Sequence, residues 1–235
     1  MQIKSTGYPR GGRRIMQMFE KLQELPLLMG LSKRELMTIV ERIDFDFRKH
    51  AEGTVLAARD ERADRAFFVL SGTVVAELNE AERGFLLTEW MGGGTIVIEP
   101  QNLWGLKQKF ARTYSLETEG STCSISKAQL SWLISNYEIV KTNVLSLVCN
   151  QLQTSTRLLR EPWPGSTEER IRYVLSRYCL TRTGHKCVRI KMQTLAHLTG
   201  DARLSVSQVL NDWQQRGLAA IRRGVVDIPE FGKLG

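Results

Sequence analysis

The chain lacks any apolar run approaching the ~20 residues that cross a bilayer, so no membrane span is expected. Its basic start, Met1 to Arg14, is not followed by the apolar core of a signal peptide, so a cytoplasmic protein is expected. Cysteine is scarce. The four present (Cys123, Cys149, Cys179, Cys187) stand far apart, with no paired spacing, and read as reduced, mostly buried small hydrophobes rather than a disulfide framework. His185 and Cys187 lie two apart, but no second pair completes a zinc site, so no metal ligand is assigned. There is no nucleophile–base pairing and no recognisable pair of carboxylates. The chain is therefore not read as an enzyme, and no catalytic residue is assigned. Gly92-Gly93-Gly94 lacks the Lys and following Ser/Thr of a phosphate-binding loop and reads as a tight β-turn.

What is present divides unevenly. The 235 residues, 42% of them hydrophobic, suffice for one large or two small domains. The net charge of +8 is concentrated at one end: residues 166–235 hold 12 Lys/Arg against 6 Asp/Glu, while residues 1–165 are nearly balanced. A small basic unit beside a near-neutral larger one points to a polyanionic partner at the C-terminal end.

Texture changes along the chain in the same way. Residues 1–14 read as a flexible basic tail. Ser32 and Glu35 form a capping box opening a helix to about Ile43. From 44 to 126 come short β-rich runs separated by turns, the pattern of a small barrel or sandwich. Ser126 and Gln129 then signal another helix. Between 138 and 159 there is no Gly or Pro, and Val140, Val144, Val148, Leu152 and Leu159 share one helical stripe with Leu145 beside it. That stripe suits either a partner helix from a second copy or the chain's own barrel. Glu161-Pro162-Trp163-Pro164-Gly165 ends the helix, and Ser166 with Glu169 starts a new one. The divisions expected are a tail (1–14), a β-roll domain (15–136), a long helix (137–161) and a basic C-terminal domain (162–235).

Within that last unit, Leu195, Ala196 and Leu198 mark a short helix, Gly200 a sharp turn, and Val206, Val209, Leu210 and Trp213 the inner face of a second helix. The opposite face carries Arg203, Leu204, Ser205, Ser207, Gln208 and Asn211. A helix seated in the major groove needs this combination: one face anchored to its domain, the other short and polar. Arg203 can pair with guanine O6/N7 and Gln208 with adenine N6/N7. Ser205 and Ser207 suit phosphate oxygens or base edges. Arg222-Arg223-Gly224 between two short apolar runs reads as a hairpin with a basic tip for the phosphate backbone. An ordinary helical pair in a bundle would need neither the polar face nor the basic hairpin.

Two stretches also carry a resemblance. Phe68-Val69-Leu70-Ser71-Gly72-Thr73-Val74 is similar to a strand pair, and residues 195–210 are similar without gaps to the helix-turn-helix, of the CRP/FNR family of bacterial transcription regulators. The resemblance covers nearly everything after the tail. It implies an α+β fold: an N-terminal β-roll, that is, a cyclic-nucleotide-binding-like jelly roll; a long dimerisation helix; and a C-terminal winged helix-turn-helix. It also implies double-stranded DNA and a second copy as partners, with RNA polymerase a further one, and Arg203, Leu204 and Gln208 facing bases of a palindromic site. The catabolite-activator subgroup has Glu and Arg where this chain has Leu204 and Gln208, so its DNA site should differ. Leu204 can touch a thymine methyl.

The resemblance further implies an effector site. Glu99 matches the glutamate that holds a ribose hydroxyl, and Arg112-Thr113 the pair that grips a cyclic phosphate, a bond suited to a guanidinium. The pattern is divergent: Ile98 replaces a glycine, three extra residues separate Glu99 from Arg112, and Pro100, Leu103 and Trp104 are bulky. The effector is therefore left open, with a cyclic nucleotide as one candidate. An iron–sulfur cluster is not expected, since no cysteine precedes Cys123. Haem has only His50, His185 and His197 as ligands by type, each better read as a surface or satisfied histidine. Two alternatives stand beside an effector-sensing regulator. One is an effector-independent regulator whose pocket is filled by side chains such as Ile98 and Trp104. The other is a β-roll module for protein contacts, for which DNA affinity would show no salt dependence.

Overall fold

In the computed structural model, residues 21–92 and 96–234 are described; the expected tail, 1–14, and Gly93 and Gly94 of the glycine turn lie outside them. The first helix, α1 (Lys33–Arg42), begins where Ser32 and Glu35 cap each other: the Glu35 amide donates to Ser32 Oγ and the Ser32 amide to the Glu35 carboxylate. Eight strands follow: β1 (Asp46–His50), β2 (Val55–Ala57), β3 (Arg65–Ser71), β4 (Val74–Glu80), β5 (Phe85–Met91), β6 (Ile96–Val97), β7 (Thr113–Leu116) and β8 (Gly120–Ser126). Helices α2 (Lys127–Asn136) and α3 (Glu138–Arg160) come next, α2 capped reciprocally by Ser126 and Gln129. After the proline linker, α4 (Thr167–Ser176) opens on the Ser166–Glu169 box. The chain then forms β9 (Lys186–Ile190), α5 (Met192–Thr199), α6 (Arg203–Gln215), and a hairpin of β10 (Ala220–Arg222) and β11 (Val225–Ile228).

The first eight strands form two antiparallel layers. One sheet runs β1-β8-β3-β6; the other includes β5-β4-β7-β2. Between them lie Val69, Val74, Ala76, Ile98, Phe110, Tyr114 and Leu116, all buried. Two layers with side chains alternating inward close a jelly-roll-like core. Backbones approach closely where β3 turns into β4. A Cβ on Gly72 (φ +94°) would come within 2.9 Å of Gly120 Cα, so neither position tolerates a side chain. A second core lies beneath the first sheet, where Leu36 and Ile39 of α1, Leu130 and Leu133 of α2, and Val140 of α3 meet Phe68 and Ile125.

The long helix divides its apolar residues between two directions. Val140 is fully buried against the β-roll, and Val144 and Leu147 pack on the same core. Leu145 and Leu152 point elsewhere and are exposed in the single chain, at 57% and 63%. Of the expected stripe, Val140 and Val144 thus face the β-roll and Leu152 faces away, while the Leu159 side chain lies outside the described residues. Cys149, expected with the buried cysteines, is exposed on this helix.

The C-terminal part has its own core, built on Ile171, Leu195, Val206, Leu210, Trp213 and Val226. That core also takes in Phe85 and Leu87 of β5. The reason is topological. The second sheet does not stop at β5 but continues through β9 into β11 and β10, so one seven-stranded sheet runs β10-β11-β9-β5-β4-β7-β2. The β5–β9 ladder is antiparallel, from Phe85 opposite Ile190 to Glu89 opposite Lys186. No described helix is long and apolar enough to cross a membrane.

Candidate functional site

The helix pair is built as its sequence requires. Helix α5 ends at Gly200, in the left-handed region at φ +70°, and Ala202 begins α6 with no side-chain cap. Asp201 fixes the turn: the Arg170 guanidinium donates to both its oxygens, from Nε at 2.9 Å and Nη2 at 2.5 Å, and Thr167 adds a third bond at 2.9 Å. The Arg170 bonds hold the Asp201 carboxyl below the usual range. Val206, Leu210 and Trp213 are buried, and the Trp213 indole N–H donates to Glu168 at 2.8 Å.

The outer face of α6 is free. Arg203, Gln208 and Asn211 are exposed, Ser205 and Ser207 are half-buried, and Leu204 is 70% exposed. Arg222 and Arg223 stand exposed at the tip of the β10–β11 hairpin, whose turn Gly224 closes at φ +73°. A large apolar side chain left open between polar neighbours suits base edges, and an exposed basic hairpin tip suits phosphates.

The residues matched to an effector cassette are turned inward instead. Glu99 is a non-glycine residue at φ +36°, ψ +55°, a strained backbone position. Its carboxylate accepts from the Tyr114 hydroxyl at 2.8 Å, the Ala111 amide at 2.9 Å and the Asn102 side-chain amide. Burial, with Glu99 alongside, pushes the Tyr114 hydroxyl well above its ordinary range. Arg112 is buried and points to β5, donating to Glu89 Oε2 at 2.9 Å and to the Tyr178 carbonyl. Thr113 Oγ1 accepts the Arg59 amide at 3.2 Å. The structure therefore gives Glu99, Arg112 and Thr113 three separate sets of partners. Ile98 fills the interior, but Trp104 does not, since it is 40% exposed. Residues 100–103 form a 3-10 turn in which positions three apart eclipse. Pro100 and Leu103 take the inner side and Trp104 falls outside.

Sequence reading missed Glu89 and Lys186. Both are fully buried, and Lys186 Nζ stands 3.1 Å from Glu89 Oε1. The Leu180 and Thr181 amides complete the ring around the carboxylate, and Lys186 also donates to Thr181 Oγ1 and the Thr183 carbonyl. The signal available was Lys186-Cys187-Val188-Arg189-Ile190, an alternating run. The histidines are accounted for locally: His50 bonds to Thr122, His185 to Asp227 while stacking on Trp90, and His197 lies exposed on α5. Burial pushes the Cys123 and Cys179 thiols up to about 12.

Among solved structures, the chain is similar to the catabolite activator protein of Thermus thermophilus. The two are 21% identical over 89% of this chain and 96% of that one, with a TM-score of 0.51. It is also similar to a putative transcriptional regulator of the CRP/FNR family from Eubacterium rectale, 16% identical over 90% and 97% of the two chains, TM-score 0.52. No family model and no curated protein matches the sequence. At these identities the likeness establishes the fold: a jelly-roll-like, cyclic-nucleotide-binding-type β-domain followed by C-terminal helices, as in CRP/FNR regulators.

Proposed function

We propose that the protein is a transcription regulator of the CRP/FNR type that binds double-stranded DNA through α6. The observation that carries this reading is the free outer face of α6, with Arg203, Leu204 and Gln208 exposed, together with the exposed Arg222 and Arg223 on the hairpin that follows it. The uncapped start of α6 adds free backbone amides for a phosphate. The hairpin acts as the wing. A second copy docks along α3 on Leu145 and Leu152, presenting two recognition helices to a palindromic site. RNA polymerase is the further partner such a regulator would engage.

For the β-domain, one observation favours regulation without a cyclic nucleotide. Glu99 and Arg112 already hold internal partners, so a ligand would have to displace both sets.

The test is binding to a site selected from random duplex DNA, measured across salt concentrations. Arg203→Ala should cost roughly 1–3 kcal/mol at that site and relax one base position. Arg223→Ala should weaken all DNA about equally and lower the salt slope by about 1. A chain with no salt-dependent affinity for any duplex is not this regulator, and the protein-contact module then takes its place.

A further inference from the structure

The seven-stranded sheet and the Glu89 carboxylate coincide at the junction of the β-roll and the DNA-binding head. Strand β5 belongs to the β4–β5 hairpin of the β-roll; β9 belongs to the head. Glu89 sits at the end of their shared ladder, opposite Lys186. Its partners come from both sides. Arg112 reaches it from the β-roll, and Lys186 Nζ and the Leu180 and Thr181 amides reach it from the head. The three charged groups are shut off from solvent: Glu89 and Lys186 are 0% exposed and Arg112 is 7% exposed. Flanking contacts cross the same boundary. Phe85 packs edge-on to Tyr178 with centroids 4.6 Å apart, and Trp90 stacks on His185 at 4.1 Å.

We propose that Glu89 is a positioning residue for DNA reading, a latch that holds the head on the β4–β5 hairpin and so sets where α6 points. This rests on the DNA-binding reading and deepens it. The physical basis is the mismatch between the two ways of parting. Opening the junction strands Lys186 on one side and the Glu89–Arg112 pair on the other. Removing the carboxylate alone leaves two buried cations facing each other with no anion between them. The second situation is far worse, because a buried charge without its partner is strongly destabilising. The carboxylate is therefore the element on which closure depends, and its position in the sheet fixes the head's direction as well as its attachment. The reading face stays uncovered in the closed arrangement, so the latch orients α6 and does not mask it.

Amide hydrogen exchange of the whole chain, with no DNA present, tests the latch directly. Wild-type amides in the β5–β9 ladder should be among the slow ones. Glu89→Ala should speed their exchange by roughly 100- to 1,000-fold, the loss expected from a broken buried ion pair, while β3–β8 and α5–α6 keep their protection. Glu89→Gln, which keeps the shape and one acceptor oxygen for Leu180, is the second variant and should give an intermediate rate. A positioning role has its own readout: wild type should prefer one spacing between half-sites, and the folded variants should bind altered spacings nearly as well. Ladder protection unchanged in both variants overturns the proposal, and so does a spacing preference that survives a faster-exchanging ladder. Failure to bind any duplex would count against the DNA reading instead, since the exchange measurement does not depend on it.

Discussion

Two polar clusters of this molecule, the cassette around Glu99 and Arg112 and the outer face of α6, are built from similar side chains and behave in opposite ways. In the cassette every carboxylate and guanidinium has an internal partner: Glu99 holds Tyr114, Ala111 and Asn102, and Arg112 holds Glu89 and the Tyr178 carbonyl. On α6 the side chains of Arg203, Gln208 and Asn211 extend into solvent. A polar group inside a protein contributes to folding by being bonded; one outside is available to a partner. The contrast teaches that a residue matched to a family's binding position does not by itself create a binding site. What else can reach that residue decides it.

The largest effect should come from the inward side. Glu99→Ala leaves the buried Tyr114 hydroxyl without its acceptor and removes the partner of the Ala111 amide. It should lower stability by about 3 kcal/mol, read as a fall in Tm. A variant as stable as wild type would mean the cassette's bonds are replaceable by water, and the contrast with α6 would weaken.

A smaller effect is expected where the head is braced. Asp201 has its pKa held down by Arg170, so the folded value lies below the unfolded one. The stability it contributes is fully present above the unfolded value, near 3.9, and is lost as pH falls through the folded value. Asp201→Asn should lower Tm by a few degrees at neutral pH and flatten the acid limb of the stability profile. An unchanged acid limb would assign that dependence to other carboxylates.

The smallest expected effect is none. Millimolar cyclic AMP or cyclic GMP should leave Tm where it is, whereas a ligand at ~100 times its dissociation constant would add about 2.7 kcal/mol. An upward shift that disappears in Arg112→Ala would break the comparison, showing that Arg112 can leave Glu89 for a phosphate.

Much of this was legible in the amino-acid sequence because its causes are local. The reciprocal caps at Ser32, Ser126 and Ser166 depend on residues three apart, and each stands at a helix start. Gly200 marks the turn, and the spacing of Val206, Leu210 and Trp213 marks the inner face of α6. What escaped was nonlocal. Glu89 and Lys186 are charged residue types that sequence reading leaves at the surface. Their burial follows from strands nearly a hundred residues apart lying side by side. The two faces of α3 escaped for the same reason, since a stripe gives the direction of apolar residues but not which body covers each. Trp104 was misplaced because the 3-10 turn that precedes it sets its direction.

The shared sheet also bears on how the molecule can be taken apart. Pro162 and Pro164 mark an obvious place to cut, and residues 162–235 carry the helices and hairpin of the head. Yet such a fragment would leave behind Phe85 and Leu87, which lie in its hydrophobic core, and would expose the whole β5-facing edge of β9. An open edge strand with apolar residues beside it invites pairing with its own kind. The linker is a boundary in the chain and not in the core, so a truncated head should be prone to self-association.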